Sequence, residues 1–532
     1  MSTIAARPSL RERFADPGTF LTVVELVPWR GVLEDDIGRR ARAAAEALAG
    51  DPAIDAISIT DNAGGHAMAS PDVLGHEIVA RGSEAIVHVA CRDRNRNELL
   101  SLGWRLASEG LTNLLVLSGD YPTEGYHGLA QPVFDIDSVV LLQMYSDVAR
   151  GQPAIEAGGG HDGAATESHS RPLPLFLGAV VSPFKRFERE LVPQYQKLEL
   201  KIRSGAEFII GQVGYDARRQ AELLRWMALR DIERPVLANV YLLTRTVARV
   251  FHAGKVPGVS LTDGLLELAE KQGGSPDKGK AFFLELAAKQ VAIARGLGCA
   301  GAYLGGINRA EDVARIRELA EGFGPGDWRA FAREIQFSPA DQFELLETDP
   351  ETGLPTDRLD PAYARSSELT ARRAARHRVT WTYKVNRFAH DAVFGADGVF
   401  YPAARRFYTA AERWRLGWPL HTLEQAVKIP LYDCRDCGDC SLPDVAYLCP
   451  ESHCHKNQRN GPCGGSRDGE CEVAGKQCIW AQAYDRLKPY GEEDGILHRP
   501  VIVTDNALRR TSAWANTFLG RDHAADRGDG AS

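Results

Sequence analysis

Eight short apolar runs fill the first 330 residues, each followed by a loop with Gly, Asp or Asn and then by a segment with helical spacing of apolar residues. They are Phe20–Pro28, Ala56–Asp61, Ala85–Cys91, Asn113–Asp120, Leu175–Val181, Phe208–Val213, Pro235–Leu243 and Gly301–Ile307. Stretches such as LLVL, FLGAVV and FIIGQV are apolar without alternation, as parallel strands covered on both faces by helices must be. Between them, residues 96–110, 217–232 and 280–298 place apolar side chains three and four apart, and two of these three end at Gly. Strand then helix, eight times, predicts a closed (β/α)8 TIM barrel; a doubly wound open sheet is the alternative, but no Gly-rich dinucleotide fingerprint accompanies it.

A chain of 532 residues exceeds what one core supports, so a second, smaller domain is expected. Pro, Asp and Thr gather at 344–359 and set the boundary. The expected organisation is a barrel over 1–335, a linker over 336–367, a mostly helical and irregular cysteine-rich domain over 368–519, and a disordered tail over 520–532. Residues 151–172 have few bulky apolar side chains and are expected to form a mobile excursion.

The formal net charge of −8 gives no basic field for nucleic acid or an anionic membrane. Neither a secretory signal nor a membrane-spanning apolar stretch is evident, so the chain is expected in the cytoplasm. Of ten cysteines, eight crowd between Cys434 and Cys478, which in a reducing compartment predicts ligation of metal rather than disulfides.

Polar residues that end barrel strands face the mouth where such folds do their chemistry. Glu25, inside LTVVELVP, is a carboxylate among apolar neighbours, with a raised pKa suited to a proton donor; an interior salt bridge is the alternative. Asp120 closes LLVLSGDYP after a glycine, where a ligand-facing carboxylate or a helix-capping one belongs. Thr60, Asp61 and Asn62 in ISITDNAGG and His88 in IVHVAC mark two more strand ends.

Cys434, Cys437 and Cys440 stand at two-residue spacings, with Cys449 in a Cys-Pro pair as the natural fourth ligand of a [4Fe–4S] cluster. Structural zinc is the rival, and His453 or His455 is available to join it. Cys454, Cys463, Cys471 and Cys478 suffice for a second site, although spacing alone does not pair them.

In order, ELVP, SITDNAGG, HVACRDRN, LVLSGDYP, KIRSGAEFIIGQVGYD and GINRAED resemble the methylenetetrahydrofolate reductase barrel, and Cys-Pro, NGPCGGS, CEV and CIW before YDRL resemble the cysteine-rich domain or subunit that accompanies some bacterial reductases. The resemblance implies a flavin, FAD or FMN, that takes hydride from NAD(P)H and passes it to methylenetetrahydrofolate. It implies Glu25 as the general acid and Asp120 as the carboxylate beside flavin and pterin. It further implies Thr60, His88, Gly119, Asp120 and Lys201 as flavin contacts, and Gln212 and Arg309 as folate contacts. Ser118 departs from the family's arginine before Gly-Asp, and VPQYQKLEL lacks the usual Asp and Asn that contact the flavin's ribityl and adenosine parts. The same chemistry run as methyltetrahydrofolate oxidation, and a non-catalytic electron-transfer subunit, remain the alternatives. A redox partner protein and self-association are left open.

Overall fold

The computed structural model describes residues 8–152, 171–363, 379–395, 397–473 and 475–525. The excursion expected at 151–172 falls almost wholly outside them.

Eight parallel strands close into a barrel in sequence order: β1 Leu21–Leu26, β2 Ala56–Ile59, β3 Glu84–Ala90, β4 Asn113–Leu117, β5 Phe176–Val181, β6 Phe208–Gly211, β7 Val236–Tyr241 and β8 Gly301–Gly305. Closure pairs β8 with β1, setting Tyr303 beside Val23, while on the other side of β1 Glu25 lies opposite Ser58. Every residue of β2 and β8 is buried, which is why these runs show no apolar-polar alternation. Inside the barrel, Leu21, Val23, Ala56, Ile86, Leu115, Phe208 and Tyr303 belong to one packed cluster. It extends to Leu10 and Phe14 of the short helix Leu10–Ala15, and the Phe14 ring stacks on Phe208 at 5.0 Å between centroids.

Helices cover the outside, among them Arg96–Ser108, Ala217–Leu229 and Lys280–Leu297, close to the three read from periodicity. Helix Glu188–Arg203 differs from the others. From Glu190 to Lys201 every residue is buried, charged ones included. One side packs on the barrel and the other meets the C-terminal helix Ile479–Leu487, whose Tyr484 hydroxyl donates to Glu188 at 2.7 Å.

Two organisational expectations are corrected. The linker expected over 336–367 contains an antiparallel hairpin, β9 Leu346–Thr348 and β10 Pro355–Leu359, seated on helix Ala217–Leu229. Buried Glu222 from that helix accepts from the Leu345 amide at 2.8 Å, a bond no composition signal announces. The tail expected from 520 is ordered through residue 525, with Asp522 buried and His523 held between Asp439 and Asp444; residues 526–532 lie outside the described part.

Helices Trp381–Val393, Tyr401–Arg413 and Gly417–Tyr432 lead into the cysteine region, which is mostly turns and short helical pieces. No helix among the described residues is long and apolar enough to cross a membrane.

Candidate functional site: the barrel mouth and the thiol sets

Glu25 lies one residue from the carboxyl end of β1, and Asp120 follows β4, so both belong to the same rim of the barrel. Tyr303 on β8 donates its hydroxyl to Glu25 Oε2 at 2.9 Å. The same hydroxyl is 3.4 Å from His88 Nε2, which in turn is 2.8 Å from Ser58 Oγ. Four adjacent strands thus contribute one polar chain, Ser58–His88–Tyr303–Glu25, to an otherwise apolar interior. Burial raises the Glu25 carboxyl above its ordinary value, against the opposing effect of the Tyr303 hydrogen bond. Burial also pushes the His88 imidazole down to about 3, so this ring is neutral at physiological pH. The arrangement is a buried carboxyl whose ionisation burial disfavours, held by a phenol beside a neutral imidazole, the features a proton donor needs.

Asp120 is fixed from the neighbouring strand loops. Its Oδ2 accepts from the Gly64 amide at 2.9 Å, and its carbonyl accepts from Arg92 Nη1 at 3.0 Å. The close approach requires glycine: a Cβ on Gly65 would lie 2.3 Å from the Tyr121 carbonyl oxygen, and Gly119 adopts φ +84°.

Other expected residues divide. Thr60 is buried with Oγ1 lacking a hydrogen-bond partner, as are Ser182 Oγ and Asn239 Oδ1 at or near the carboxyl ends of other strands, and Gln194 Nε2 inside helix Glu188–Arg203. Orphaned polar atoms on one rim suit a polar ligand that completes their hydrogen bonds. Gln212 follows β6, half-buried, its Oε1 turned to the Val213 amide at 2.8 Å. Arg309 is exposed at the start of helix Ala310–Glu321, paired with Glu311 at 2.7 Å. Lys201 is buried and donates to the Val180 carbonyl at 2.6 Å; burial, then neighbouring Lys197, brings its ammonium down to about 7. Asp61 and Asn62 serve the loops: Asp61 accepts from the Ala90 amide and pairs with Arg94, and Asn62 bonds Asp93 and the Met68 amide. Sequence reading missed Tyr303 and Ser58, whose signal was a hydroxyl interrupting each apolar run.

The thiols fall into two electrostatic neighbourhoods. Cys434, Cys437, Cys440 and Cys449 act on one another, and so do Cys454, Cys463, Cys471 and Cys478. Burial, reinforced by neighbouring thiols, pushes Cys454 up to about 11 and Cys478 to about 12, so ionising such a set calls for a cation among the sulfurs. Among the described residues no three His, Cys, Asp or Glu side chains are grouped as a single metal ion would need. His455 packs edge-on against Tyr121 at 5.5 Å, and His453 Nδ1 is buried without a partner. A cavity of about 960 Å³ opens beside Cys440, lined by His390, Tyr447, Phe518 and His523 and by none of the barrel-mouth residues.

The segment from Lys456 to Ser466 crosses from the thiol region onto the barrel. Lys185 Nζ donates to the Gly464 carbonyl at 2.6 Å, Lys197 Nζ to Gln458 Oε1 at 2.7 Å, and the Asn460 amide to Asp137 at 2.9 Å. This segment therefore docks the cysteine region on the barrel.

Fold and site define a β/α barrel whose carboxyl-end rim carries an acid-base network under a cysteine-rich cap. Within that cap, residues 417–506 match the family model described as methylene-tetrahydrofolate reductase C terminal. No curated protein matches the chain. Among solved structures, an uncharacterized protein from Clostridium thermocellum that binds two copies of 5-methyl-5,6,7,8-tetrahydrofolic acid aligns at TM-score 0.41 and 13% identity, over 58% of this chain and 97% of that one. A 2,3-dimethylmalate lyase aligns at TM-score 0.32 and 13% identity, over 60% of this chain and 86% of its own. An EDTA monooxygenase from Chelativorans sp. BNC1 aligns at TM-score 0.32 and 13% identity, over 60% and 95%. The barrel itself is shown by the closed pairing of its eight strands.

Proposed function

We propose that the barrel mouth binds a reduced folate and that the chain reduces methylenetetrahydrofolate to methyltetrahydrofolate, with electrons from NAD(P)H. The observation that carries this reading is Glu25, a buried carboxyl with a raised pKa on the Tyr303–His88–Ser58 network, on the same rim as Asp120. Opening the methylene bridge requires a proton on the folate nitrogen, which Glu25 supplies. The iminium so formed is cationic, and the Asp120 carboxylate favours it electrostatically.

Thr60 Oγ1 and Ser182 Oγ, each buried without a partner just beyond a strand end, fit the polar edge of a flavin ring, and Asp120 borders the same rim. A bound flavin would supply the hydride. Lys201 and Gly119 are less suited to it, since the ammonium already serves the Val180 carbonyl and the Gly119 carbonyl already accepts from Lys456. The thiol sets would hold iron–sulfur clusters or zinc.

The test is anaerobic purification followed by an absorption spectrum, metal analysis, and assay of methyltetrahydrofolate formation with NADH and NADPH. Flavin absorbance bleached by a nicotinamide and reoxidised by methylenetetrahydrofolate is the expected result. A protein that binds flavin yet neither binds nor turns over any reduced folate would remove the reading.

A further inference from the structure

The turn that carries Asp120 is held from the other domain. Ser118 Oγ donates to Gln458 Oε1 at 3.2 Å, the Gly119 carbonyl accepts from Lys456 Nζ at 2.7 Å, and the Tyr121 amide donates to Glu472 Oε1 at 2.9 Å. Lys456 and Glu472 are themselves ion-paired at 2.5 Å, with side chains only 5% and 4% exposed. The clamp thus grips the residue before Asp120 and the residue after it, from positions more than 330 residues away in the chain.

We infer that Lys456 and Glu472 are positioning residues that fix the Asp120 carboxylate in the barrel mouth, so that the site is completed across the domain junction. The turn needs such support because Gly119 sits in the left-handed region, where a glycine has alternatives close in energy. From the barrel, the Asp120 carboxylate is held by the Gly64 amide, its carbonyl by Arg92, and Ser118 by the Ser138 hydroxyl. Removing one partner of the Lys456–Glu472 pair would leave a buried charge uncompensated. Both residues ride on the second thiol set, Lys456 two positions after Cys454 and Glu472 immediately after Cys471, so whatever orders those thiols also orders the turn.

This inference rests on the folate reading, and the experiment separates the two. Full-length protein is titrated calorimetrically with 5-methyltetrahydrofolate in four forms: unaltered, Lys456→Met, Asp120→Asn, and both together. Lys456→Met is expected to weaken binding about tenfold, but by less than about twofold once Asp120 is Asn, because the cation then has no carboxylate to place. Lys456→Arg should stay within about threefold of the unaltered protein. Equal losses in both Asp120 backgrounds would show a merely structural contact and overturn the proposal. Should Lys456→Met fail to fold by thermal melting, Glu472→Gln, nearly the same size, replaces it in the cycle. If the unaltered protein binds no folate, the proposed function falls, and the clamp is judged by amide exchange at residues 118–121. Exchange about tenfold faster in the Lys456 or Glu472 variant supports it, and unchanged exchange overturns it.

Discussion

The phenol of Tyr303 is hydrogen-bonded to Glu25 at 2.9 Å across the seam where the last barrel strand meets the first. This bond favours the ionised carboxylate, while burial opposes ionisation and prevails. Tyr303→Phe should therefore raise the Glu25 pKa further, because the hydrogen bond that favours the carboxylate is gone. Folate turnover that needs the protonated acid would then persist to higher pH. A pH–rate profile checks it: the alkaline limb moves upward, and a downward move refutes the assigned direction.

Glu25→Gln removes the transferable proton and keeps the shape. Flavin reduction by nicotinamide is expected to continue while folate turnover falls by about a hundredfold or more, the range for loss of a general acid. Stability gives a second readout. A carboxyl whose folded pKa is raised binds more protons folded than unfolded, so its penalty grows as pH rises through the unfolded value toward the folded one. The Gln variant should then melt higher than the unaltered protein at pH 7 and lose that advantage near pH 4.

His523 shows the opposite linkage. Burial disfavours its charge, but hydrogen bonds and charges of Asp439 and Asp444 outweigh that and hold the imidazolium up to about 9. The stabilisation is complete below the unfolded value near 6.5 and is lost as pH rises through about 9. Its size is on the order of 3 kcal/mol by linkage. His523→Gln should lower the melting temperature at pH 6 and have much less effect at pH 10, measured by scanning calorimetry.

Each thiol neighbourhood should lose its own metal. Cys440→Ser is expected to remove about half of the bound iron or zinc, and Cys463→Ser the other half, as read by elemental analysis against protein concentration. The two are expected to differ at the barrel: only Cys463→Ser should also weaken folate binding, because Cys463 belongs to the set that carries Lys456 and Glu472. Equal effects of both on folate affinity would contradict the division of roles.

The strands were legible because burial on both faces writes itself as unbroken apolar runs: Asn113–Asp120 was expected and Asn113–Leu117 is the strand, with Asp120 on the loop beyond. The hairpin at 346–359 was not legible, since its few apolar residues gain their burial from helix Ala217–Leu229 and from Glu222, not from any local pattern. His523 was lost in a polar tail for the same reason: its partners Asp439 and Asp444 lie some 80 residues earlier. Lys201 was placed by motif order alone, which fixes position along a helix but not where a flexible ammonium finds its acceptor.

By itself the sequence determined the eightfold strand and helix repeat, the polar residues at strand ends, and the crowd of thiols, because each is a local consequence of periodicity or residue type. Only the tertiary structure decided that Tyr303 reaches Glu25, that Lys456 and Glu472 grip the Asp120 turn, and that the eight thiols form two neighbourhoods. Those contacts join residues separated by up to hundreds of positions, and only barrel closure and domain docking, driven by burial of apolar surface, bring them within hydrogen-bonding distance.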